Sequence, residues 1–281
     1  MSGRAPAPDP RPTERIPEAR IPDPKITVIQ RELFDEKKSK MQRYADLVVG
    51  RPGLWALFKF ELIILLCANM PGALGLLLRS KLYPLLLGRV GRNVTFGCNV
   101  TLRHPNKIYI GDNVVVDDAC CLDAKGTDNQ GITIGSGVFI GRNTILSCKN
   151  GDIVIDDEAN IGFNTEIFSA SRVHVGKKVL IAAYTYLVGG DHLYDRVDIP
   201  VLDQARNARG IDVADHVWLG AHVVVTDGST VGRDAIVGAG AVVVGEIPEF
   251  SIAVGTPARV VRDRREGASP QGVKPEAIER K

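Results

Sequence analysis

Net charge is nearly absent from this chain: 35 lysines and arginines face 33 aspartates and glutamates, a formal +2 at pH 7 over 281 residues. Such a balance does not suggest a DNA- or RNA-binding surface. Cysteine is scarce and odd in number. Cys67, Cys98, Cys120, Cys121 and Cys148 have no C-x-x-C spacing, so they read as reduced core or corner residues rather than metal ligands or a disulfide frame. No P-loop, dinucleotide fingerprint or nucleotidyltransferase domain is visible. Long apolar runs are also missing. In Gly53–Met70, GLWALFKFELIILLCANM, Lys59 and Glu61 interrupt the stretch and Pro71 follows it, short of the roughly 20 apolar residues a membrane span requires. Met1–Pro24, rich in Pro, Arg and Ala, lacks the apolar core of an export signal, which leaves the cytoplasm as the expected location.

What the chain does have is a period of six. Aliphatic anchors recur from Val90 to Val243 in sets of three: Val90, Phe96, Leu102; Ile110, Val116, Leu122; Ile134, Ile140, Leu146; Ile155, Ile161, Ile167; Val175, Ile181, Leu187; Val213, Leu219, Val225; Val231, Val237, Val243. Only Phe96 is not aliphatic. Ten residues directly after an anchor are glycine, and the fourth residue after is often small or β-branched, as at Val114, Thr144, Thr165 and Ala241. Six fits neither the 3.6-residue helix nor a hairpin meander. It fits a short strand and a tight corner repeated around a triangular coil, the hexapeptide β-helix. Asn93, Asn99, Asn113, Asn143 and Asn164, three after their anchors, suit corners that need positive φ.

The interruptions are ordered too. Coils start at 90, 110, 134, 155, 175, 213 and 231, and every surplus residue falls after a third anchor, so all insertions should leave from one corner. The largest, Val188–Asp212, is polar and glycine-rich: VGGDHLYDRVDIPVLDQARNARGID. A rigid scaffold that extrudes one long polar loop is placing residues for binding or chemistry.

Ahead of the repeat, RELFDEKKSKMQRY (Arg31–Tyr44) is charged and expected to be helical. The apolar stretch Gly53–Met70 and the following ALGLLLRSKLYPLLLG have two readings. One is a cap over the open end of the first coil, which solenoids need. The other is an in-plane helix on a membrane surface, with Arg79, Lys81 and Arg89 towards lipid head groups. The expected organisation is a disordered tail over 1–25, this cap or membrane-surface segment over 26–88, and the β-helix over 89–248 with its loop at 188–212. A C-terminal cap and basic segment over 249–266 and a flexible tail over 267–281 follow.

The stretch HVWLGAHVVVTDGSTVGRDAIVGAGAVVVGEIPEFSIAVGTPARVVRDR, His216–Arg265, resembles the hexapeptide-repeat acyltransferases, in particular the maltose- and galactoside-type sugar O-acetyltransferases. The likeness covers roughly Val90–Arg265. Arg79–Asn150 resembles, more weakly, members associated with bacterial surface-polysaccharide biosynthesis. The resemblance implies a left-handed parallel β-helix, a homotrimer, acetyl-CoA as cosubstrate, no metal, and active sites in clefts between subunits. It makes His192 the catalytic base, a role that suits imidazole, because an acceptor hydroxyl must lose its proton as it attacks a thioester. Trp218 would flank the pantetheine arm, Gly220, Ala221, Gly238, Ala239 and Gly240 would let it approach the backbone, and Arg259 and Arg262 would meet the CoA phosphates, with Arg264 and Arg265 adding charge.

Two departures from the family stand out. Val244-Gly245 replaces a common Thr-Lys, and no aspartate stands near Ser169 or Ala170, where the sugar acetyltransferases hold the acceptor hydroxyl. A different acceptor is therefore expected, with Asp191, Tyr194, Arg196, Arg206, Asn164 and Ser169 as candidate contacts. Asp191, Asp195 and Asp198 are near enough in sequence to orient His192. The expected reaction is acetyl transfer to a hydroxyl of a saccharide or lipid-linked glycan precursor. N-acetylation of an amino-sugar nucleotide and a non-catalytic assembly or binding β-helix are the alternatives. A zinc site would need His192, His216 and His222 to converge, but His192 is a loop residue and the six-residue phase puts His216 and His222 on different faces of one coil.

Overall fold

The computed structural model describes residues 38–266, so the expected tails at 1–25 and 267–281 and the start of the charged segment lie outside the described residues. From Arg89 onward the chain winds as a parallel β-helix whose three sheets hold eight, nine and seven strands. The six-residue grid explains the packing directly. On the first sheet Val90, Ile110, Ile134, Ile155, Val175, Val213 and Val231 lie in register on successive coils. Each pairs with its counterpart one coil away, and the same holds for the other two sets of anchors. Every anchor except half-buried Val90 is at most 2% exposed.

The residue three after each first- and second-sheet anchor is left-handed. The five expected asparagines have φ of 53–59°. The same conformation holds at Ala119, Lys178, Tyr184, His216 and His222, where a side chain with a Cβ costs about 1 kcal/mol. The corner geometry is thus set by the coil, and asparagine or glycine only relieves its strain.

The coil continues past the grid. Ile247 stacks on Val231 and Ala253 on Val237, but Ile247 follows Val243 by four residues instead of six, and the period no longer reports it. A final strand, Arg259–Asp263, turns back antiparallel along Ser251–Val254 and ends the second sheet.

At the other end three helices precede the repeat: α1 (Lys40–Tyr44), continued by a π turn over Ala45–Val49, α2 (Leu54–Cys67) and α3 (Gly72–Leu82). They close the first coil. Phe60, Ile63, Cys67 and Tyr83 join the core, and the Tyr83 ring meets Phe96 edge-on at 5.3 Å. Arg79 does not face lipid, as expected of it; it is 2% exposed. Its Nε donates to the Phe96 carbonyl at 2.9 Å, and Nη1 to those of Cys67 (2.9 Å) and Met70 (2.7 Å). One guanidinium therefore ties the end of α2 to the first coil. The outer faces stay apolar and exposed at Leu54, Trp55, Phe58, Leu62, Leu65, Leu74 and Leu77. Among the described residues no helix is long and apolar enough to cross a membrane.

Candidate active site

Every insertion leaves from the corner between the third and first sheets, and the loop between Tyr186–Gly189 and Ile211–Val213 is the longest. It is an ordered excursion. Asp191–His192 pairs antiparallel with Arg206–Asn207, and the Leu193 amide donates to the Ala205 carbonyl at 2.9 Å. Inside the loop, buried Gln204 accepts from the Arg196 amide and donates to the carbonyls of Arg196 (2.7 Å) and Ile199 (3.3 Å).

Asp227, one coil later, fixes the return. Its carboxylate accepts the amides of Arg209 (2.8 Å) and Gly210 (2.9 Å), and its side chain is 3% exposed. Gly210 has φ +93°, and a Cβ there would lie 2.5 Å from the Arg172 carbonyl oxygen, so the loop rejoins the coil only through glycine. Sequence reasoning missed Gln204 and Asp227, because each acts on backbone groups that are distant or irregular.

His192 stands at the start of this ribbon, half-buried, with Nδ1 shielded from solvent and without a hydrogen-bond partner among the described residues. None of the three nearby aspartates serves it. Asp191 Oδ1 accepts the His192 backbone amide at 2.7 Å, Asp198 pairs with Arg196, and Asp195 makes no bond to the ring. A buried imidazole nitrogen with no partner among the described residues is costly.

The remaining histidines have structural settings. His104 bonds to the Asp46 carbonyl at 2.8 Å, and burial pushes its pKa down. His174 lies between Asp212 (2.7 Å) and Asp156 (3.0 Å). His216 stands at the corner after the first sheet, beside Asp234, and His222 at the corner after the second, stacked on Tyr184 with ring centroids 4.9 Å apart. His192, His216 and His222 therefore occupy three different corners and do not converge within one chain.

The expected acceptor contacts divide. Tyr194 and Arg196 project from the loop, the first exposed and the second held by Asp198. Asn164 sits at the corner between the second and third sheets, a sheet's width from His192. Ser169 is a correction: it is fully buried, and its hydroxyl donates to the Asp152 carbonyl at 2.8 Å, so it is spent on the coil.

The expected donor contacts lie elsewhere. Trp218, 46% exposed, projects from the second sheet in register with Leu180 and Ile236. Gly220, Ala221, Gly238 and Ala239 form the following corner on two successive coils, where a Cβ on Gly220 would come within 2.6 Å of the Ala239 nitrogen. Arg259 and Arg262 are exposed on the last strand. Arg264 and Arg265 are already engaged, the first with the Asp234 carbonyl, the second with Asp263 and the Phe250 ring. In one chain the third sheet separates these groups from His192.

The five cysteines are free. Burial pushes the Cys120 thiol up to about 11, so it is a packing group rather than a nucleophile.

Residues 211–244 match the family model described as the hexapeptide repeat of succinyl-transferase. The chain is 34% identical over 134 residues to a probable acetyltransferase of Mycobacterium tuberculosis, covering 48% of this chain and 45% of that one. It is 31% identical over 134 residues to galactoside O-acetyltransferase of Escherichia coli, covering 46% and 55%. A further Escherichia coli protein, named for O-acetyl transfer in lipopolysaccharide biosynthesis, is 25% identical over 163 residues, covering 56% and 82%. The chain thus spans about half the length of the first two. The matched stretch falls within the stacked six-residue coils, and over about half its length the chain is similar to hexapeptide-repeat acetyltransferases.

Proposed function

We propose that the protein is an acyl-CoA-dependent O-acetyltransferase that moves acetyl from acetyl-CoA to a hydroxyl of a saccharide or lipid-linked glycan precursor in surface-polysaccharide biosynthesis. The observation that carries this reading is His192. It is a half-buried imidazole on an ordered ribbon, with Nδ1 unpaired, in a family whose named relatives transfer acetyl groups.

The imidazole takes the acceptor proton as the hydroxyl oxygen attacks the thioester carbonyl, and returns it as the tetrahedral intermediate expels the thiol of CoA. Nδ1 needs a partner to fix the tautomer, and the acceptor or a neighbouring copy supplies it. Trp218, Gly220, Ala221, Gly238 and Ala239 line the donor side, with Arg259 and Arg262 at the CoA phosphates. Because these groups and His192 lie on opposite sides of the third sheet, the complete site forms between copies, in a homotrimer. The exposed apolar faces of α2 and α3, with Lys81 exposed beside them, rest on the cytoplasmic membrane surface, where a lipid-linked acceptor is found.

The test is thiol release from acetyl-CoA with and without saccharide acceptors, in wild type and His192→Ala. Acceptor-dependent release that the substitution abolishes while CoA still binds supports the reading; release that survives it removes His192 as the base. Product stability to hydroxylamine, which cleaves esters and spares amides, separates O- from N-acetylation.

A further inference from the structure

Arg103, Lys125 and Lys149 gather around the Asp123 carboxylate on the corner that also extrudes the His192 loop, and Arg206 of that loop acts on Lys149. Arg103, Asp123 and Ser147 are register neighbours on the third sheet in the first three coils. Lys125 and Lys149, two residues after Asp123 and Ser147, occupy equivalent places on coils two and three, where the Asn150 amide reaches the Lys125 carbonyl. Asp123, 8% exposed in its side chain, holds Lys125 Nζ at 3.0 Å and lies 3.7 Å from Arg103 Nη1.

Lys149 is half-buried and makes no side-chain hydrogen bond or ion pair among the described residues. Burial pulls its ammonium below the ordinary range and the charge of Lys125 adds to this. Asp123 opposes the shift, while Arg103 and Arg206 deepen it. Arg206 comes from the loop itself, directly across the ribbon from His192. Cross-strand partners project to the same side of a ribbon, with Cβ atoms about 5 Å apart, so Arg206 links the cluster to the imidazole.

One carboxylate does not neutralise four cations. Desolvated positive charge of this density, with Lys149 and Arg206 making no side-chain hydrogen bond or ion pair among the described residues, is unfavourable in the free protein and is relieved by an anion. The cluster belongs to coils one to three and the loop leaves coil five, whereas Trp218 and Arg259 belong to coil six and the final strand. His192 thus lies between the cationic corner and the donor residues along the solenoid axis.

We infer that Arg103, Lys125, Lys149 and Arg206 bind a phosphate or diphosphate on the acceptor, which presents the attached sugar to His192. The inference rests on the acyltransferase reading for the role of His192, but the anion site itself does not. A glycosyl diphosphate has two sources, a soluble sugar nucleotide and a lipid-linked sugar diphosphate.

Equilibrium dialysis with radiolabelled inorganic pyrophosphate tests the site without any turnover, using the full chain, Lys149→Gln, Arg206→Gln and the charge-keeping Lys149→Arg. Wild type should bind about one pyrophosphate per chain. Each glutamine variant should lose roughly ten- to a hundredfold in affinity, Lys149→Arg should recover most of it, and CoA binding should be unchanged in all. Equal pyrophosphate affinity in the glutamine variants, or loss of CoA affinity in parallel, would overturn the inference, the latter by assigning the cluster to the donor. If pyrophosphate binds as expected and no acetyl-CoA is consumed with any acceptor, the acyltransferase reading fails while the anion site stands. With turnover, KM is compared for a sugar nucleotide, the same sugar diphosphate on an isoprenoid alcohol, and the unphosphorylated sugar. A KM at least tenfold higher for the unphosphorylated sugar is expected, and equal values for all three would overturn the acceptor assignment.

Discussion

His192 and Arg206 face each other across a two-residue antiparallel ribbon that stands on the parallel coils of the solenoid. The pairing fixes where the imidazole stands. Replacing the ring while keeping an amide, His192→Asn, should lower kcat by about a hundredfold or more and leave the KM for acetyl-CoA within a few-fold. Steady-state kinetics on wild type and variant checks this, and an equal rise in KM would mean the ring binds donor instead.

Asp227 holds the returning strand of the same loop by two amides. In Asp227→Ala both amides lose their acceptor, a cost of about 1–3 kcal/mol that falls on the loop stem. Limited proteolysis should show new cleavage between residues 190 and 210 while the coil stays intact, and transfer activity should fall with it. Unchanged protease resistance would count against Asp227 as the clamp.

Arg79 is the bolt of the N-terminal cap, since it donates to three carbonyls from two different parts of the fold. Arg79→Met preserves bulk and removes every one of those bonds. A loss on the order of 3 kcal/mol is expected in chemical denaturation, from acceptors left without donors. A loss below about 1 kcal/mol would show that helix packing alone secures the cap.

His174 couples stability to pH. Burial disfavours its cation, but hydrogen bonds to Asp212 and Asp156 outweigh that and raise its pKa. A group whose folded pKa lies above its unfolded value, about 6.5 for histidine, stabilises fully below that value. The contribution is lost as pH rises through the raised one. Melting temperature should therefore fall across this window in wild type and flatten in His174→Gln. An equal fall in both would place the titration elsewhere.

The β-helix was legible because its signal is local and repeated. An inward residue at every sixth position reports the coil each time, and the surplus after third anchors reports which corner extrudes loops. The signal stops where geometry deviates: the eighth coil was missed because Ile247 comes two residues early and its neighbour anchor, Ala253, is small. Asn164 shows another limit, since asparagine at a left-handed corner has a backbone reason to be there whether or not it meets a substrate.

The sequence by itself determined the architecture, the exit corner of the long loop and the singular position of His192, each of which depends on spacing along the chain. Only the tertiary structure decided what distant residues do to one another. It buried Arg79 under carbonyls from Cys67, Met70 and Phe96 and consumed the Ser169 hydroxyl on the Asp152 carbonyl. It also set Lys149 over Lys125 and left His192 Nδ1 without a partner. The physical reason is that hydrogen bonds and charges act over a few ångströms of space, and successive coils bring together side chains that lie about 20 residues or more apart in sequence.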